Sequence, residues 1–459
     1  MIPIKSLSVV VATAAISVAA AGASADTIED ALTKAYLNNP QLLAQRARVR
    51  STDEQVPQAL ANWRPSVEVT SSVGAQVVDS NTSTGTDQIQ SRRPKDVGVT
   101  ITQPLFRGGR TLAATSEAEN NIRAERARLL DTEQQVLLDG ATAYLNTFRD
   151  EAVLKLNINQ EQVLRRQLEA TQDRFEVGEI TRTDVHQAEA RMARAIADRI
   201  QAEGDLENSR ANYVNVVGEM PKSALSLPAL FSDLPEVKDG AIKAAVVSNP
   251  RIVAADFDKR ASLDNVDEVW GELLPSVELS ASATKEFETV NEVSDRFTQE
   301  VTLSLTIPIY QQGAVYSRLR QARQTAAENT QLIDRQRRDI SEQATQAWES
   351  MTTARARVAA FRTQVEANIV ALEGVQREAA VGSRTVLDIL DAEQELLDSR
   401  VGHVRAQRDE LVAAYQLKSA MGGLTASDLK LPVELYDPRS HYKEVRGKWF
   451  GGRSSGGLK

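Results

Sequence analysis

The sequence of 459 residues contains no cysteine and few aromatic side chains. Without cysteine there are no disulfide bonds, so packing and assembly must stabilise the fold. Aromatic residues make up 5% and charged residues 25% of the chain, a balance typical of long Ala-, Glu-, Gln- and Arg-rich helices. We therefore expect elongated coiled-coil helices rather than a thick globular core.

Long apolar runs are also lacking after the first 25 residues, because no later stretch reaches the roughly 18 to 20 apolar residues of a spanning helix. Any later entry into a membrane must therefore use β-strands. The first 25 residues combine Lys5, an apolar run and an Ala-x-Ala ending at Ala23 and Ala25. This pattern predicts a signal peptide over 1–25 and a mature chain from Asp26; an uncleaved membrane anchor is the alternative.

Catalytic and nucleic-acid-binding signatures are absent as well. The mature chain carries 53 basic and 63 acidic residues, which argues against nucleic acid as a partner. The three histidines, His186, His403 and His441, are far apart, and there is no H-E-x-x-H, G-x-S-x-G or phosphate-loop motif. We predict that the protein is not an enzyme, has no cofactor or metal site, and exposes His186 and His403 on helices.

What the sequence does contain is an internal duplication. Asn39-Pro40 and Asn249-Pro250, each predicted to lie in an N-terminal helix, are 210 positions apart. An offset of 204 relates "FEVGEITRTDVHQAEARM" to "AAVGSRTVLDILDAEQEL". The duplication predicts four segments after the signal peptide: a first repeat at 26–218, a linker at 219–240 that packs along the helices, a second repeat at 241–422, and a C-terminal segment at 423–459 that is disordered from about residue 447.

Each repeat is predicted to fold as helix, two strands, long helix, turn and helix. Apolar and small polar residues alternate in strand pairs at about 66–104 and 276–308, which indicates sheets with one apolar and one polar face. Polar turns, "DSNTSTGTDQ" and "VNEVSD", join the strands of each pair. Apolar heptads then predict a coiled-coil helix of about 65 residues, or roughly 100 Å, in each repeat.

Four strands in one chain would leave unpaired edges, which lipid does not tolerate. Two chains would give eight strands with an interior filled by side chains, whereas three would give twelve strands and a passage. We therefore predict a homotrimer, a mixed α and β membrane protein in which a twelve-stranded β-barrel continues into an α-helical coiled-coil tunnel.

Aromatic residues stand beside the prolines where strands are predicted to meet helices, at one common depth. Such a set is typical of an interfacial belt at a lipid surface. The alternative is that the same rings fill a soluble core at the strand ends. The predicted belt consists of Trp63, Phe106, Trp270 and Tyr310.

A Thr-x-x-Asp sequence follows each Val-Gly turn, and it predicts a helix capping box. Thr181 with Asp184 and Thr385 with Asp388 form these pairs, so capping alone can account for both aspartates.

Capping does not account for Asp391. Arg384, Asp388 and Asp391 are spaced i, i+4 and i+7, which places them on one stripe of a predicted helix, whereas the first repeat has Gln187 in place of Asp391. In a threefold assembly Asp388 and Asp391 would form a constriction that attracts cations and is held by basic partners such as Arg384.

The Asn-Pro pairs, the two "PSVE" strand starts and the "VGEITRTDV" and "VGSRTVLDILDAE" segments resemble the TolC-type outer-membrane efflux proteins over nearly all of the mature chain. The resemblance implies a barrel in the outer membrane and a helical tunnel across the periplasm. It also implies an exit duct for small molecules or proteins, opened by a periplasmic adaptor and energised by an inner-membrane efflux or ABC-type pump. A soluble periplasmic coiled-coil adaptor is the alternative, but it should have one helical hairpin rather than two.

By the same resemblance, Asp388 and Asp391 match the acidic aperture of the family, and Arg384, Thr183 and Asp184 match residues that hold the tip closed. Ala379 stands where the best-known member has a tyrosine of the closing network. The Val-Gly turns match the surface on which adaptor hairpins dock, which comprises Val177, Gly178, Val381 and Gly382.

Overall fold

The computed structural model describes residues 27–81, 87–221, 225–289 and 293–453, so the predicted signal peptide at 1–25 lies outside the described residues. Within these ranges the chain is mostly helical with a smaller strand region, which confirms the predicted mixed α and β class. The elements in chain order are α1 (Ile28–Asn38), α2 (Pro40–Asp53), α3 (Gln55–Ala61), β1 (Ser66–Val73), β2 (Gln76–Asn81), β3 (Asp87–Arg92), β4 (Lys95–Arg107), α4 (Arg110–Glu176), α5 (Arg182–Val217), α6 (Lys238–Ser248), α7 (Pro250–Gly271), β5 (Ser276–Phe287), β6 (Asp295–Thr306), α8 (Ala314–Ala380), α9 (Val386–Ala420) and α10 (Ser440–Val445).

An asparagine followed by proline separates two helices at the start of each repeat. Asn39 Oδ1 accepts the N–H of Gln41 at 2.9 Å, and Asn249 Oδ1 accepts that of Arg251 at 2.9 Å. Each asparagine therefore caps the second helix of its pair. The prediction that Asn-Pro lies inside one helix is wrong, because a residue before proline avoids the helical conformation and proline favours the first helical position.

The amide nitrogen of each capping asparagine also binds the far end of its repeat. Asn39 Nδ2 donates to Val216 O at 3.0 Å near the end of α5, and Asn249 Nδ2 donates to Ala420 O at 3.0 Å at the end of α9. One side chain thus fixes the first helices of a repeat against its last helix, and the arrangement occurs twice.

Four strands form one antiparallel sheet in the order β1-β4-β5-β6, so strands of the two repeats pair directly through β4 and β5. Val69 pairs with Val99, and Val99 pairs with Ala283, which keeps apolar side chains on one face. Glu68 and Thr100 form a pair on the other face. The sheet therefore has one apolar and one polar face, and the apolar face is uncovered within the chain, where Val69 is 69% exposed.

The first hairpin is longer than predicted. β2 and β3 form a separate two-stranded sheet in which Asp79 pairs with Ile89 and Ser80 with Gln88. Part of the predicted turn "DSNTSTGTDQ" is thus strand, and residues 82–86 lie outside the described residues. The turn prediction rested on polar composition, but backbone pairing continues through polar residues once the hairpin register is set.

α4 and α8 contain 67 residues each, which confirms the two long helices. Each packs against the helix that returns from the far turn, α5 or α9. Among the described residues, no helix is both long and apolar enough to cross a bilayer.

The main core lies between α1, α4, α5, α9 and the linker at 219–240. Tyr144 is fully buried, and its hydroxyl donates to Ser226 O of the linker at 2.8 Å. Lys418 Nζ lies 2.9 Å from Asp233 Oδ2, which holds a second part of the linker against α9.

The structure describes the tail as far as residue 453, beyond the predicted start of disorder at about 447. Arg64 Nη1 donates to Lys448 O at 2.8 Å, and its guanidinium lies 4.8 Å from the centre of the Trp449 ring. Gly- and Ser-rich composition could not reveal this contact, since the partner lies 384 positions away.

Candidate functional site

Two equivalent turns join the long helices to the returning helices, about 100 Å from the sheet at 1.5 Å per helical residue. In the first turn Glu179 N donates to Arg174 O at 2.9 Å, and in the second Ser383 N donates to Glu378 O at 3.0 Å. Both bonds close a Schellman motif, in which a left-handed glycine ends the helix. We refer to these two turns together as the helical tip.

Glycine and valine occupy the same place in each turn. Gly178 and Gly382 have φ angles of 81° and 80°, which side chains other than glycine rarely adopt. Val177 and Val381 beside them are 73% and 80% exposed. The helical tip therefore presents two apolar side chains to its surroundings.

Both predicted capping boxes are confirmed. Asp184 Oδ2 accepts the N–H of Thr181 at 2.9 Å and its hydroxyl at 2.8 Å. Asp388 Oδ2 accepts the same two groups of Thr385 at 2.9 Å and 2.8 Å. These hydrogen bonds, with the nearby Arg384 charge as a smaller cause, lower the pKa of the Asp388 carboxyl.

Arg384 lies outside α9. Because Thr385 is the N-cap, Arg384 belongs to the preceding turn, so the prediction that it lies on the same helix as Asp388 and Asp391 is wrong, whereas both aspartates lie in α9 as predicted. Arg384 Nε donates to Glu378 Oε2 at 2.9 Å, whereas its Nη1 is 3.8 Å from Asp388 Oδ1. The principal partner of this arginine is thus the last turn of α8.

Asp391 pairs instead with the other repeat. Arg191 Nη2 of α5 donates to Asp391 Oδ1 of α9 at 2.6 Å, with side-chain exposures of 29% and 56%. The sequence patterns did not predict a role for Arg191. The available signal was charge, because the equivalent position in the second repeat carries an acid, Glu395.

An apolar contact lies beside this ion pair. Val386 and Leu390, in the first turns of α9, are 8% and 2% exposed. They form one cluster with side chains of the first helical hairpin, namely Leu164, Ala188, Met192 and Ala195. The start of α9 is therefore seated on the hairpin of the first repeat.

The remaining predicted tip residues lie close by without joining this ion pair. Thr183 is exposed in the first turn of α5, and Ala379 is 6% exposed near the end of α8. Within the described residues, Arg384 forms its ion pairs with Glu378 and Asp388, and not with Asp184.

The aromatic residues predicted as a belt lie where helices and strands meet, at the opposite end from the helical tip. All four are exposed in the single chain: Trp63 at 44%, Phe106 at 49%, Trp270 at 48% and Tyr310 at 76%.

Histidines and carboxylates form no metal centre in the described ranges, where no group of three or more potential ligands is suitably placed. His186 is exposed on a helix as predicted, and its Nδ1 lies 2.9 Å from Glu189 Oε2, whereas the prediction that His403 is exposed is wrong, because His403 is half-buried on α9. His441 is buried, and its Nδ1 lies 3.3 Å from Asp53 Oδ2.

Comparison with known proteins agrees with this architecture. The chain is 34% identical to the outer membrane efflux protein BepC of Brucella suis over 95% of this chain and 94% of that protein. It is 24% identical to the outer membrane protein TolC of Escherichia coli, covering 88% and 84%. The solved structure of the outer-membrane channel OprN superposes with a TM-score of 0.76 at 20% identity, covering 86% and 90% of the two chains.

The family described as "Outer membrane efflux protein" matches residues 31–219 and 241–423, which are the two repeats. Together with the BepC similarity, this match covers most of the sequence and both helical hairpins. The chain therefore belongs to the outer membrane efflux protein family.

Proposed function

We propose that the protein is a homotrimeric exit duct that carries small molecules, proteins or both across the periplasm and the outer membrane. One observation carries the proposal: a four-stranded sheet with an uncovered apolar face is joined to two long helical hairpins in the same chain. Such a sheet suits lipid, and hairpins of about 100 Å suit the periplasm.

The outer strands support assembly with further copies. β1 and β6 each have one paired side in the described chain, and the strand directions alternate from β1 to β6. The β6 strand of one copy can therefore pair antiparallel with β1 of the next. Three copies give twelve strands and an open interior, whereas two would leave an interior filled by side chains.

In this assembly Trp63, Phe106, Trp270 and Tyr310 would form the belt at the periplasmic lipid surface. Their exposure and their place at the strand ends favour lipid contact over a soluble core. The soluble adaptor alternative has no support, because it would leave the apolar sheet face in water.

At the other end, Asp388 and Asp391 of three copies would line the constriction, in a protein with no catalytic step of its own. Arg384, Thr183 and Asp184 would hold neighbouring copies together in the closed state. A periplasmic adaptor would dock on Val177, Gly178, Val381 and Gly382 and favour the open state, while an inner-membrane efflux or ABC-type pump supplies the energy.

Neutralising the constriction tests this proposal in planar bilayers. Asp388→Asn with Asp391→Asn should abolish block by a trivalent cation such as hexamminecobalt and lower cation selectivity, because six carboxylates would lose their charge. Asn keeps the size of Asp and can still accept the cap hydrogen bond. Asp398→Asn, which neutralises one carboxylate per chain on the same helix at a residue that accepts a hydrogen bond from Gln394, is the control and should leave the block unchanged.

In cell fractionation the protein should be found in the outer membrane. After purification in detergent it should migrate as a trimer that converts to monomer on heating. A soluble monomer released by osmotic shock would overturn the proposed duct. A channel whose block survives the double substitution would leave the duct but remove the constriction from these two residues.

The pH dependence of block gives a second test of Asp388. In an Asp391→Asn background, block should persist below pH 3.8, the ordinary aspartate pKa, because hydrogen bonds from Thr385 favour the ionised form. The carboxylate is neutralised only when pH falls through its lowered pKa. Thr385→Val removes the hydroxyl donor and should move the loss of block to higher pH, whereas Thr181→Val in the other turn should not.

A further inference from the structure

The Arg191–Asp391 ion pair joins the two helical hairpins near the helical tip, beside the apolar contact between α9 and the first hairpin. Its atoms lie 2.6 Å apart, yet its residues come from different repeats, on α5 and α9. Arg384 makes no such connection within the chain, because its 2.9 Å bond to Glu378 stays within the second hairpin. Movement of α9 away from α5 would therefore break the Arg191–Asp391 pair.

The same movement would expose apolar surface. Leu390, next to Asp391 in sequence, is 2% exposed and packs in the cluster that contains Ala188 and Met192 of α5. Ion pair and apolar contact therefore act on the same pair of helices, and both favour the arrangement in which α9 is seated on the first hairpin.

The charge of Asp391 depends on this arrangement. While Arg191 is bound, the pair is neutral as a whole, and Asp391 offers little net field to a cation in the constriction. Once α9 leaves the first hairpin, the carboxylate is released from its partner.

We propose that Arg191 is a positioning residue that couples opening to the acidity of the constriction. In the closed state Arg191 holds α9 against the first hairpin and neutralises the charge of Asp391, so that Asp388 provides most of the charge that attracts cations. Opening frees Asp391 and adds a second set of carboxylates. This inference rests on the proposed duct, and it assigns to Arg191 a role in the closed state that Arg384 does not have within one chain.

Three variants of the full-length trimer test the inference in planar bilayers. Arg191→Gln and Asp391→Asn should both raise the open population, by roughly twofold to fivefold per chain, as expected for a partly exposed ion pair. They should differ in block by hexamminecobalt. Arg191→Gln leaves Asp391 uncompensated and should strengthen block, whereas Asp391→Asn should weaken it.

The exchanged pair, Arg191→Asp with Asp391→Arg, should return the open population toward the wild-type value. Arg194→Gln is the matched control, because Arg194 lies on the same helix and pairs within it with Asp198 at 3.6 Å. It should change neither quantity. Trimer migration in detergent verifies that each variant assembles.

Equal behaviour of Arg191→Gln and Arg194→Gln would overturn the inference, as would increased opening without stronger block. Either result in a channel that still responds to Asp388→Asn would leave the proposed duct intact. A wild-type protein without channel activity would instead contradict the proposed function itself.

Discussion

Gly271→Ala is expected to destabilise each chain by about 2–3 kcal/mol, because it introduces a methyl group where two backbones meet. A Cβ at Gly271 would lie 2.6 Å from Gly108 O and 2.6 Å from Arg110 Cγ. The arginine stem can move, but the carbonyl belongs to the turn between β4 and α4. The clash therefore lies where β4 is followed by α4 in the first repeat, against the end of α7 in the second repeat.

The consequence should exceed that of an ordinary surface substitution, because in the proposed trimer each copy would carry the clash where the proposed barrel meets the helical tunnel. We expect a lower temperature for the conversion of trimer to monomer in heat-modifiability gels, and a lower thermal unfolding midpoint. Both measurements report assembly and folding without requiring channel activity.

Gly204→Ala is the matched control, since a Cβ there meets no atom within 4 Å and the residue lies inside α5. Alanine favours a helix over glycine, so this variant should be unchanged or more stable by up to about 1 kcal/mol. If Gly271→Ala and Gly204→Ala have the same melting temperature, the two backbones are not in close contact.

Local sequence patterns predicted the elements well, because they depend on neighbours along the chain. Heptads predicted α4 and α8, and Thr-x-x-Asp predicted the caps at Thr181 and Thr385. Alternation predicted the two faces of the sheet. It did not predict the pairing of β4 with β5, whose register joins Thr100 to Ser282 across the two repeats.

The residues of the helical tip were predicted only in part, because sequence patterns report local neighbours and not contacts between distant segments. Asp388 was placed correctly at the start of a helix, but Arg384 was assigned to that helix because spacing alone does not identify the N-cap residue. Arg191 was missed because its partner Asp391 is 200 positions away. The charge difference from Glu395, its equivalent in the second repeat, marked Arg191 as unusual, but a charge difference does not identify the partner of a residue so distant in sequence.

The second large effect is expected from substitution of the capping asparagine that occurs once in each repeat. Asn249→Asp is expected to destabilise the chain by about 1–3 kcal/mol at neutral pH, because the buried Ala420 carbonyl loses its donor. Asn249 is 4% exposed, and its Nδ2 lies 3.0 Å from that oxygen. Aspartate has the same shape and can still accept a hydrogen bond from the Arg251 N–H, so the helix cap is retained. Its second oxygen, however, would face Ala420 O of α9, and these two acceptors repel each other.

The effect should depend on pH with a definite sign. Burial and the facing carbonyl raise the pKa of the introduced carboxyl, whereas the helix N-terminus lowers it; the first two should prevail at a site this buried. A raised folded-state pKa means that stability is regained as pH falls, since the protonated acid can donate to Ala420 O. Asn39→Asp should behave in the same direction, because Asn39 makes the equivalent bond to Val216.

The exposed neighbour Asn38 provides the control, because Asn38→Asp makes the same chemical change without a buried partner. It should stay within about 0.5 kcal/mol of wild type at every pH. Thermal unfolding of the three variants between pH 4 and pH 8, taken as roughly the range in which a buried carboxyl titrates, measures the difference. Asn249→Asp could lower the melting temperature by no more than Asn38→Asp does, or the decrease could become larger at acidic pH. Either result would show that Asn249 does not hold the two ends of its repeat together.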